Sequence, residues 1–262
     1  MNELQVVVVL GALLAGLISG ASAEDASAPA PDLGWGSIDG QFILNGPHKP
    51  QLRFNRRDPQ LKDWEICGCQ EMPDETLVVD PATKGIANIF VYLKKAPGRI
   101  HPELKAIPAK TELTAQGCRY VPHCGILRVG QDLNVKFTGE VAHNAHFHPM
   151  AMSMPGTIFP ANDPAGIDYD VFDVPQPIPM KVVCDIHPWM DGYWTVLDHP
   201  YAAITDKEGR FKLEQVPVGE HKFCAWHERC GYITREYQVI VTSNCKTVLP
   251  IEKVAAVKLA KK

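Results

Sequence analysis

Apolar and polar residues alternate over short stretches along most of this chain. Between positions 132 and 138, Leu133, Val135 and Phe137 are separated by polar residues, which predicts a half-buried β-strand. Strands rich in β-branched and aromatic residues are predicted at 37–44, 88–94, 125–129, 180–184, 193–197, 210–216, 221–226 and 235–241. The 22 prolines and 20 glycines argue against long helices. The pattern therefore predicts an all-β protein built from β-sandwiches.

The N-terminus departs from this pattern. Residues 6–20 are an apolar run, and Ala21-Ser22-Ala23 supplies small residues where a signal peptidase would cut. The run is shorter than the roughly 20 residues of a spanning helix, so we predict a cleaved signal peptide at 1–23. Because Glu3 and the absence of Lys or Arg weaken this prediction, a retained anchor is the alternative. An Ala/Pro linker follows at 24–33, and the mature protein is expected to be periplasmic or secreted, without stable membrane insertion.

Composition and charge exclude some classes of partner. Of the 262 residues, 45% are hydrophobic and 21% are charged, which is ordinary for a globular protein, and the formal net charge is -4. The chain has no basic stripe, so nucleic acid is not an expected partner. Residues 251–262 form a basic tail that we predict to be a solvated terminus, with a basic amphipathic helix as the alternative.

The candidate chemistry lies in the string CDIHPWM at 184–190. Its Cys184, His187 and Met190 are spaced three apart, so one tight loop after a strand could turn all three toward a common point. Thiolate, thioether and imidazole donors together select copper over harder cations. Each of these residues alone is more often structural, so the prediction depends on their combination. A second imidazole is required, and the stretch 141–150, expected to be a loop, offers three histidines: His143, His146 and His148.

These two strings resemble the cupredoxins, specifically the blue-copper proteins of the amicyanin and plastocyanin type. The resemblance covers about residues 106–198 and implies a Greek-key β-sandwich that holds one type 1 copper ion. It implies four metal ligands, which are His143, Cys184, His187 and Met190. It also implies that Asn144 helps to tie the two ligand segments together by hydrogen bonds.

The same resemblance implies a surface for electron exchange. The edge of His187, with Pro188 and Trp189 beside it, is expected to face solvent and to serve as the electron port. His146 and His148 are candidates for accessory ligands, because they form one His-x-His pair next to the predicted ligand His143. A multicopper oxidase would need several such pairs, so oxidase chemistry is disfavoured.

The rest of the chain resembles a different module. Residues 36–46, 64–80, 85–95 and 198–232 are similar to exported bacterial proteins in which a cupredoxin is interleaved with a domain like the carboxypeptidase regulatory domain. Some of those proteins are described as methylamine-utilization or rhamnogalacturonan-lyase-like, but neither description marks a chemistry reliably. The resemblance implies a small transthyretin-like β-sandwich at 34–105 plus 199–250, into which the cupredoxin domain at 106–198 is inserted or to which it is fused.

Eight cysteines are consistent with an oxidising compartment, in which disulfides persist. We predict a disulfide that joins Cys67 or Cys69 to Cys118 or Cys124, since spacing alone does not give the connectivity. If Cys184 binds a metal, seven cysteines remain, so at least one more is unpaired or pairs between chains.

Three hypotheses for function follow. The first is an exported type 1 copper protein that passes single electrons to or from a redox partner such as a cytochrome or a dehydrogenase. The second is a non-redox binding module for a glycan or an envelope protein, with a structural copper site. The third is copper storage or delivery, in which the Met/His loop at 146–154 takes up Cu(I). An enzyme is least favoured, because no nucleophile arrangement or catalytic residue stands out.

Overall fold

The computed structural model describes residues 34–54, 58–69, 71–169 and 172–260. The predicted signal peptide and the predicted linker lie outside these described residues. Within the described ranges, no helix is long and apolar enough to cross a membrane.

The described residues form short β-strands almost throughout, as predicted. The strands before residue 130 are β1 (Trp35–Asn45), β2 (Leu52–Phe54), β3 (Met72–Pro73), β4 (Phe90–Leu93), β5 (Thr111–Ala115), β6 (Tyr120–Val121) and β7 (Cys124–Arg128). Those up to residue 200 are β8 (Leu133–Phe137), β9 (His143–His148), β10 (Thr157–Phe159), β11 (Asp163–Tyr169), β12 (Met180–Val183) and β13 (Asp191–Leu197). The remainder are β14 (Ala202–Ile204), β15 (Arg210–Pro217), β16 (Gly219–His227), β17 (Gly231–Val241), β18 (Lys246–Val248) and β19 (Glu252–Ala255).

Helix is scarce in the described part of the chain. It consists of the four-residue α1 (Trp64–Cys67) and two 3-10 helices, Pro102–Leu104 and Ala256–Leu259. Each strand predicted from alternation overlaps an observed strand, so the all-β prediction is confirmed.

Sandwich A, as we name it, is formed by two sheets with the strand orders β10-β9-β12-β13-β7 and β11-β8-β5-β6. Most neighbouring strands are antiparallel, but β13 pairs with β7, and β5 with β8, in parallel. Side chains from both sheets share one hydrophobic core, which includes Phe137 from one sheet and Phe147 and Trp194 from the other. The chain alternation explains this packing, since Leu133, Val135 and Phe137 are all fully buried.

Sandwich B, the second sandwich, has the strand orders β15-β1-β18, with β19 also paired to β1, and β14-β4-β16-β17. Its core joins residues such as Phe42 and Leu213 to Val91 and Phe223 on the other sheet. The chain builds β1 and β4 first, then all of sandwich A from β5 to β13, and returns to sandwich B at β14. A third cluster draws on both sandwiches; it contains Phe90, Tyr92, Cys124, Leu197, Cys224 and Trp226.

Domain boundaries at 105 and 198 remain a prediction, and one segment does not follow them. Cys67 and Met72 precede residue 105, yet they are buried in the core of sandwich A. The two sandwiches therefore share chain on the N-terminal side of the predicted boundary.

The predicted solvated C-terminal tail pairs with sandwich B at residues 252–255, although most side chains of 252–259 are exposed. Strand β19 pairs in parallel with β1, where Leu44 lies opposite Val254. Val254 is 3% exposed and Leu259 is 1% exposed, and both lie in the core of sandwich B. Burial of these apolar side chains outweighs the preference of the neighbouring lysines for water, because lysine side chains can extend to the surface. Residues 261–262 lie outside the described residues.

A disulfide joins Cys67 to Cys118, with a Cα–Cα distance of 5.5 Å, which confirms one of the predicted pairings. It links α1 to the segment before β6, and its half-cystines are 51 residues apart. Replacement of both by serine is expected to lower the free energy of unfolding by about 2 to 4 kcal/mol, because the unfolded chain regains the freedom of this loop. Urea denaturation measures the loss, with the exposed Cys245→Ser as control. An equal effect of the two changes would contradict the prediction.

A carboxylate network joins the sandwiches near β2 and β3. The Asp74 side chain is 1% exposed and lies 3.2 Å from Arg53 Nε and 3.4 Å from an Arg229 guanidinium nitrogen. Thr76 Oγ1 donates a further hydrogen bond to Asp74 at 2.7 Å. Arg53 also pairs with Asp191 at the start of β13, whereas Arg229 belongs to the turn between β16 and β17. Asp74 thus connects the end of the CDIHPWM loop with sandwich B.

A second buried pair lies nearby, between His123 Nε2 and Glu228 Oε1 at 2.6 Å, with both side chains at most 7% exposed. Burial alone would lower the pKa of His123, but the hydrogen bond and charge of Glu228 outweigh burial and raise that pKa above its ordinary 6.5. A raised pKa in the folded state means that the pair stabilises the fold fully below pH 6.5 and less as the pH rises through the folded pKa.

Glu228→Gln is therefore expected to lower the free energy of unfolding most at acidic pH, by about 2 kcal/mol, since a buried charged imidazole exchanges its carboxylate partner for a neutral amide. The difference from the unmodified protein should shrink as the pH rises above 6.5. Urea denaturation across this pH range measures it, with Glu103→Gln, an exposed carboxylate 3.9 Å from His101, as control. A pH-independent difference would show that the charge of His123 is not involved.

Candidate metal centre

Neighbouring strands bring two distant residues of sandwich A together. His143 is the first residue of β9, and Cys184 directly follows β12. These strands pair antiparallel, with His146 opposite Val183, so the start of β9 and the end of β12 lie at the same end of the sheet. Both side chains are buried, at 2% and 1% exposed. The stretch 141–150, predicted as a loop, is thus largely a strand, because His143, Ala145 and Phe147 alternate inward.

The loop 184–190 is short and closed by its own backbone. Cys184 N donates to Met190 O at 3.0 Å, and Met190 N donates to His187 O at 2.8 Å. These bonds turn the loop back on itself, so His187 and Met190 lie beside Cys184 and are 0% and 1% exposed. All the side chains named as ligands in the sequence are therefore buried at one end of sandwich A.

Three of the predicted ligands converge on one point. The Nδ1 atoms of His143 and His187 are 3.0 Å apart, and Cys184 Sγ lies 3.8 Å from His187 Nδ1. A ligand atom from each of the three residues lies within 4.8 Å of the others. Donors that each stand about 2.0–2.3 Å from a shared ion can be separated by at most about 4.5 Å, so both measured distances fit a single ion. Met190 is buried in the same hydrophobic cluster as Cys184, and its backbone carbonyl accepts the hydrogen bond from Cys184 N.

Electrostatics favour the form of the histidines that binds metals. Burial, together with the nearby His187, lowers the pKa of His143 to about 4. Burial also lowers the pKa of His187, although the carboxylate of Asp63 opposes this shift. Both imidazoles are therefore neutral at neutral pH, and each has a lone pair available for a metal ion.

Asn144 links the two segments that carry the ligands. Its backbone N–H points to Cys184 Sγ at 3.4 Å, and its amide Nδ2 donates to Asp185 Oδ2 at 2.6 Å. Asp185 N in turn donates to Asn144 Oδ1 at 2.6 Å, and Tyr120 donates its hydroxyl to the Asn144 carbonyl. These bonds hold β9 against the loop 184–190, so the positions of His143 and Cys184 depend little on a bound ion.

His146 and His148 lie on the other face of β9. They alternate with the inward residues, and their rings face each other with centroids 4.2 Å apart. His146 Nδ1 is 3.2 Å from Asp185 Oδ2 on the outer side of the loop. The structure therefore does not bring this pair to the three converging ligands, and an accessory role for it stays a prediction. Of the neighbouring methionines, Met154 is 8% exposed and Met152 packs against the core of sandwich A.

The expectation that His187 faces solvent is wrong. The residue is fully buried, and its Nε2 lies 2.9 Å from Asp63 Oδ2. Asp63 belongs to the segment around α1, which the sequence assigned to the other domain, 124 positions away. In the sequence, Cys67 could have indicated that this segment lies near the site, because a disulfide from Cys67 to Cys118 places α1 against sandwich A.

Solved structures similar to this chain include copper proteins, all at low similarity. A purple cupredoxin from Nitrosopumilus maritimus is 20% identical over 33% of this chain and 99% of its own, with a TM-score of 0.28. Amicyanin from Paracoccus versutus is 13% identical over 41% and 97%, with a TM-score of 0.28. A copper-containing nitrite reductase from Thermus scotoductus is 19% identical over 40% of this chain but 25% of its own, with a TM-score of 0.27. No protein-family model and no curated protein sequence matches the chain.

Proposed function

We propose that this protein binds one copper ion through His143, Cys184, His187 and Met190 and carries single electrons. The observation that supports this proposal is the convergence of two imidazoles and one cysteine sulfur within 4.8 Å at the buried end of sandwich A. A soft sulfur donor combined with two imidazoles and a neighbouring thioether is a ligand set that favours copper over zinc, calcium or magnesium. Copper bound there would supply one-electron exchange between Cu(I) and Cu(II).

The protein contributes rigidity and exclusion of water. Cys184 and Met190 are fixed by the backbone bonds of the loop, and Asn144 fixes β9 against it. Ligands that move little between oxidation states keep the reorganisation energy of electron transfer small. Because His143, Cys184 and His187 are all buried, we propose a carrier without substrate turnover, rather than an enzyme.

The remaining parts of the proposal follow from the sequence. We propose an exported protein that acts in the periplasm or outside the cell and exchanges electrons with a cytochrome or a dehydrogenase. Copper storage, the main alternative among metal functions, would require more than one ion per chain. Met154 is buried and Met152 packs against the core, so Met150 is the exposed methionine of residues 146–154. A single exposed thioether argues against a methionine-rich storage site.

Addition of Cu(II) to the metal-free protein tests the proposal. We expect intense visible absorption that saturates at one copper per chain by mass spectrometry, disappears with ascorbate and returns on reoxidation. The protein loaded with Zn(II) is the colourless control. A protein that stays colourless with Cu(II), or whose colour does not return after reduction, would contradict electron transfer. More than one tightly bound ion per chain would favour storage.

A further inference from the structure

A short segment covers the ring of His187. We define the cover as residues 58–69, which include α1 and contact the loop 184–190 through Asp63. Asp63 Oδ2 accepts a hydrogen bond from His187 Nε2 at 2.9 Å, while the Asp63 side chain stays 28% exposed. His187 itself is 0% exposed, so the carboxylate lies between its ring edge and the solvent.

The backbone holds Asp63 in an unusual conformation. Its φ of 51° and ψ of 39° are left-handed, a region that aspartate tolerates better than most residues but that still carries a cost. Asp63 O accepts bonds from Ile66 N at 3.0 Å and Cys67 N at 2.8 Å, which start α1. Cys67 is in turn bonded to Cys118. The left-handed residue is thus held by the short helix and by the disulfide that anchors it.

The carboxylate of Asp63 does not cap the helix α1 that follows it. Aspartate at the residue before a helix usually accepts a hydrogen bond from a backbone N–H of the first turn. Here Asp63 occupies that position and makes no such bond. Its side chain reaches His187 instead, with Lys62 at 3.6 Å as a second, exposed contact. The strained backbone and the missing cap both indicate that the contact with His187 determines where this carboxylate points.

The contact also selects which nitrogen of His187 is available. A proton on Nε2 is donated to Asp63, so Nδ1 keeps its lone pair, and Nδ1 is the atom that faces His143 Nδ1 and Cys184 Sγ. A carboxylate that accepts from the outer nitrogen makes the imidazole a stronger electron donor and fixes the orientation of its ring.

We propose that Asp63 is a positioning residue for the copper ligand His187, and that the cover 58–69 shields this ligand from solvent. The inference rests on the proposed function for its consequences at copper, but the shielding of His187 stands on the protein alone. A stronger imidazole donor favours Cu(II) over Cu(I), so Asp63 lowers the reduction potential of the site. The cover also closes the edge through which a partner or a small reagent would otherwise reach the ring.

The test compares Asp63→Asn and Asp63→Ala with Glu65→Gln. Glu65 is exposed, lies two positions from Asp63 in the same cover, and loses the same charge without a change at His187. In copper-loaded protein we expect both Asp63 variants to have a higher reduction potential and about tenfold weaker copper binding, while Glu65→Gln matches the unmodified protein. Equal shifts in all three variants, or none in the Asp63 variants, would overturn the positioning role.

Metal-free protein separates this inference from the proposed function. Nitrogen NMR of the His187 ring should show a proton on Nε2 that exchanges slowly in the unmodified protein and in Glu65→Gln, and rapidly in Asp63→Ala. Reaction with diethyl pyrocarbonate, followed by peptide mass spectrometry, should modify His187 only in the Asp63 variants. If His187 reacts equally in the unmodified protein, the cover is overturned, even where copper binds as proposed. If Asp63→Ala does not fold, the comparison is made with Asp63→Asn, which retains the side-chain size.

Discussion

Replacement of Cys184 by serine is expected to abolish the intense visible absorption of the copper-loaded protein. The absorption would arise from charge transfer between a cysteine sulfur and Cu(II), and a serine hydroxyl is a harder donor that remains protonated at neutral pH. Serine also differs from cysteine by one atom, so the packing around this buried position changes little. Copper affinity should fall by more than the roughly 10–100-fold loss that is typical for partners outside the coordination sphere.

The measurement is an absorption spectrum at equal bound copper, with a competing chelator to give the affinity. Cys245→Ser is the matched control, because Cys245 is exposed and lies outside the converging cluster. It should retain both colour and affinity. If the Cys184→Ser protein kept the colour, Cys184 would not be the copper ligand, and the proposed function would be contradicted.

Replacement of Asp74 by alanine is expected to lower the free energy of unfolding by about 3 to 5 kcal/mol. The side chains of Arg53 and Arg229 are only 18% and 11% exposed, and both would lose a carboxylate from a buried position. Thr76 would lose the acceptor of its hydroxyl as well. Arg53 would keep its contact with Asp191, so the loss comes mainly from Arg229, whose guanidinium would stay buried without its carboxylate. Removal of a whole buried network, in contrast, is often nearly neutral.

Glu236→Ala is the matched control for Asp74→Ala. Glu236 also bridges two cations, Lys94 at 3.1 Å and Lys222 at 2.7 Å, but all three side chains are 41–48% exposed. Water screens these charges and solvates the lysines when the carboxylate is removed, so little change is expected. Urea denaturation of both variants measures the contrast. If both variants lost a similar free energy of unfolding, the burial of Asp74 would not explain the destabilisation by Asp74→Ala.

Local patterns were sufficient to predict the strands, and they also indicated the candidate ligands of the loop 184–190. Alternation in Leu133, Val135 and Phe137 reports directly which face of a strand is buried, so β8 could be predicted without any knowledge of its neighbours. Cys184, His187 and Met190 carry uncommon donor chemistry at close spacing, and the first two converge with His143 from another strand. The spacing within 184–190 is visible in sequence because it depends on residues within a few positions of each other, whereas His143 was named from the resemblance to cupredoxins.

Contacts across long separations were not predictable in the same way. Nothing near Asp63 distinguishes it from an ordinary turn aspartate, and its bond to His187 spans 124 positions. The pairing of the tail with β1 was not predicted for a related reason. The lysines of the tail suggest exposure, but residues 252–255 pair with the edge of β1, and this pairing depends on the tertiary structure. In both cases the deciding partner is set by tertiary structure, which composition does not record.

The path of the chain limits how this protein can be dissected. A fragment of residues 106–198 would retain the four proposed ligands, which are His143, Cys184, His187 and Met190. It would nevertheless lack Asp63 and would leave Cys118 without its half-cystine partner. Transplanting the centre into another scaffold would therefore require a second piece of chain, residues 58–69, to be supplied alongside it.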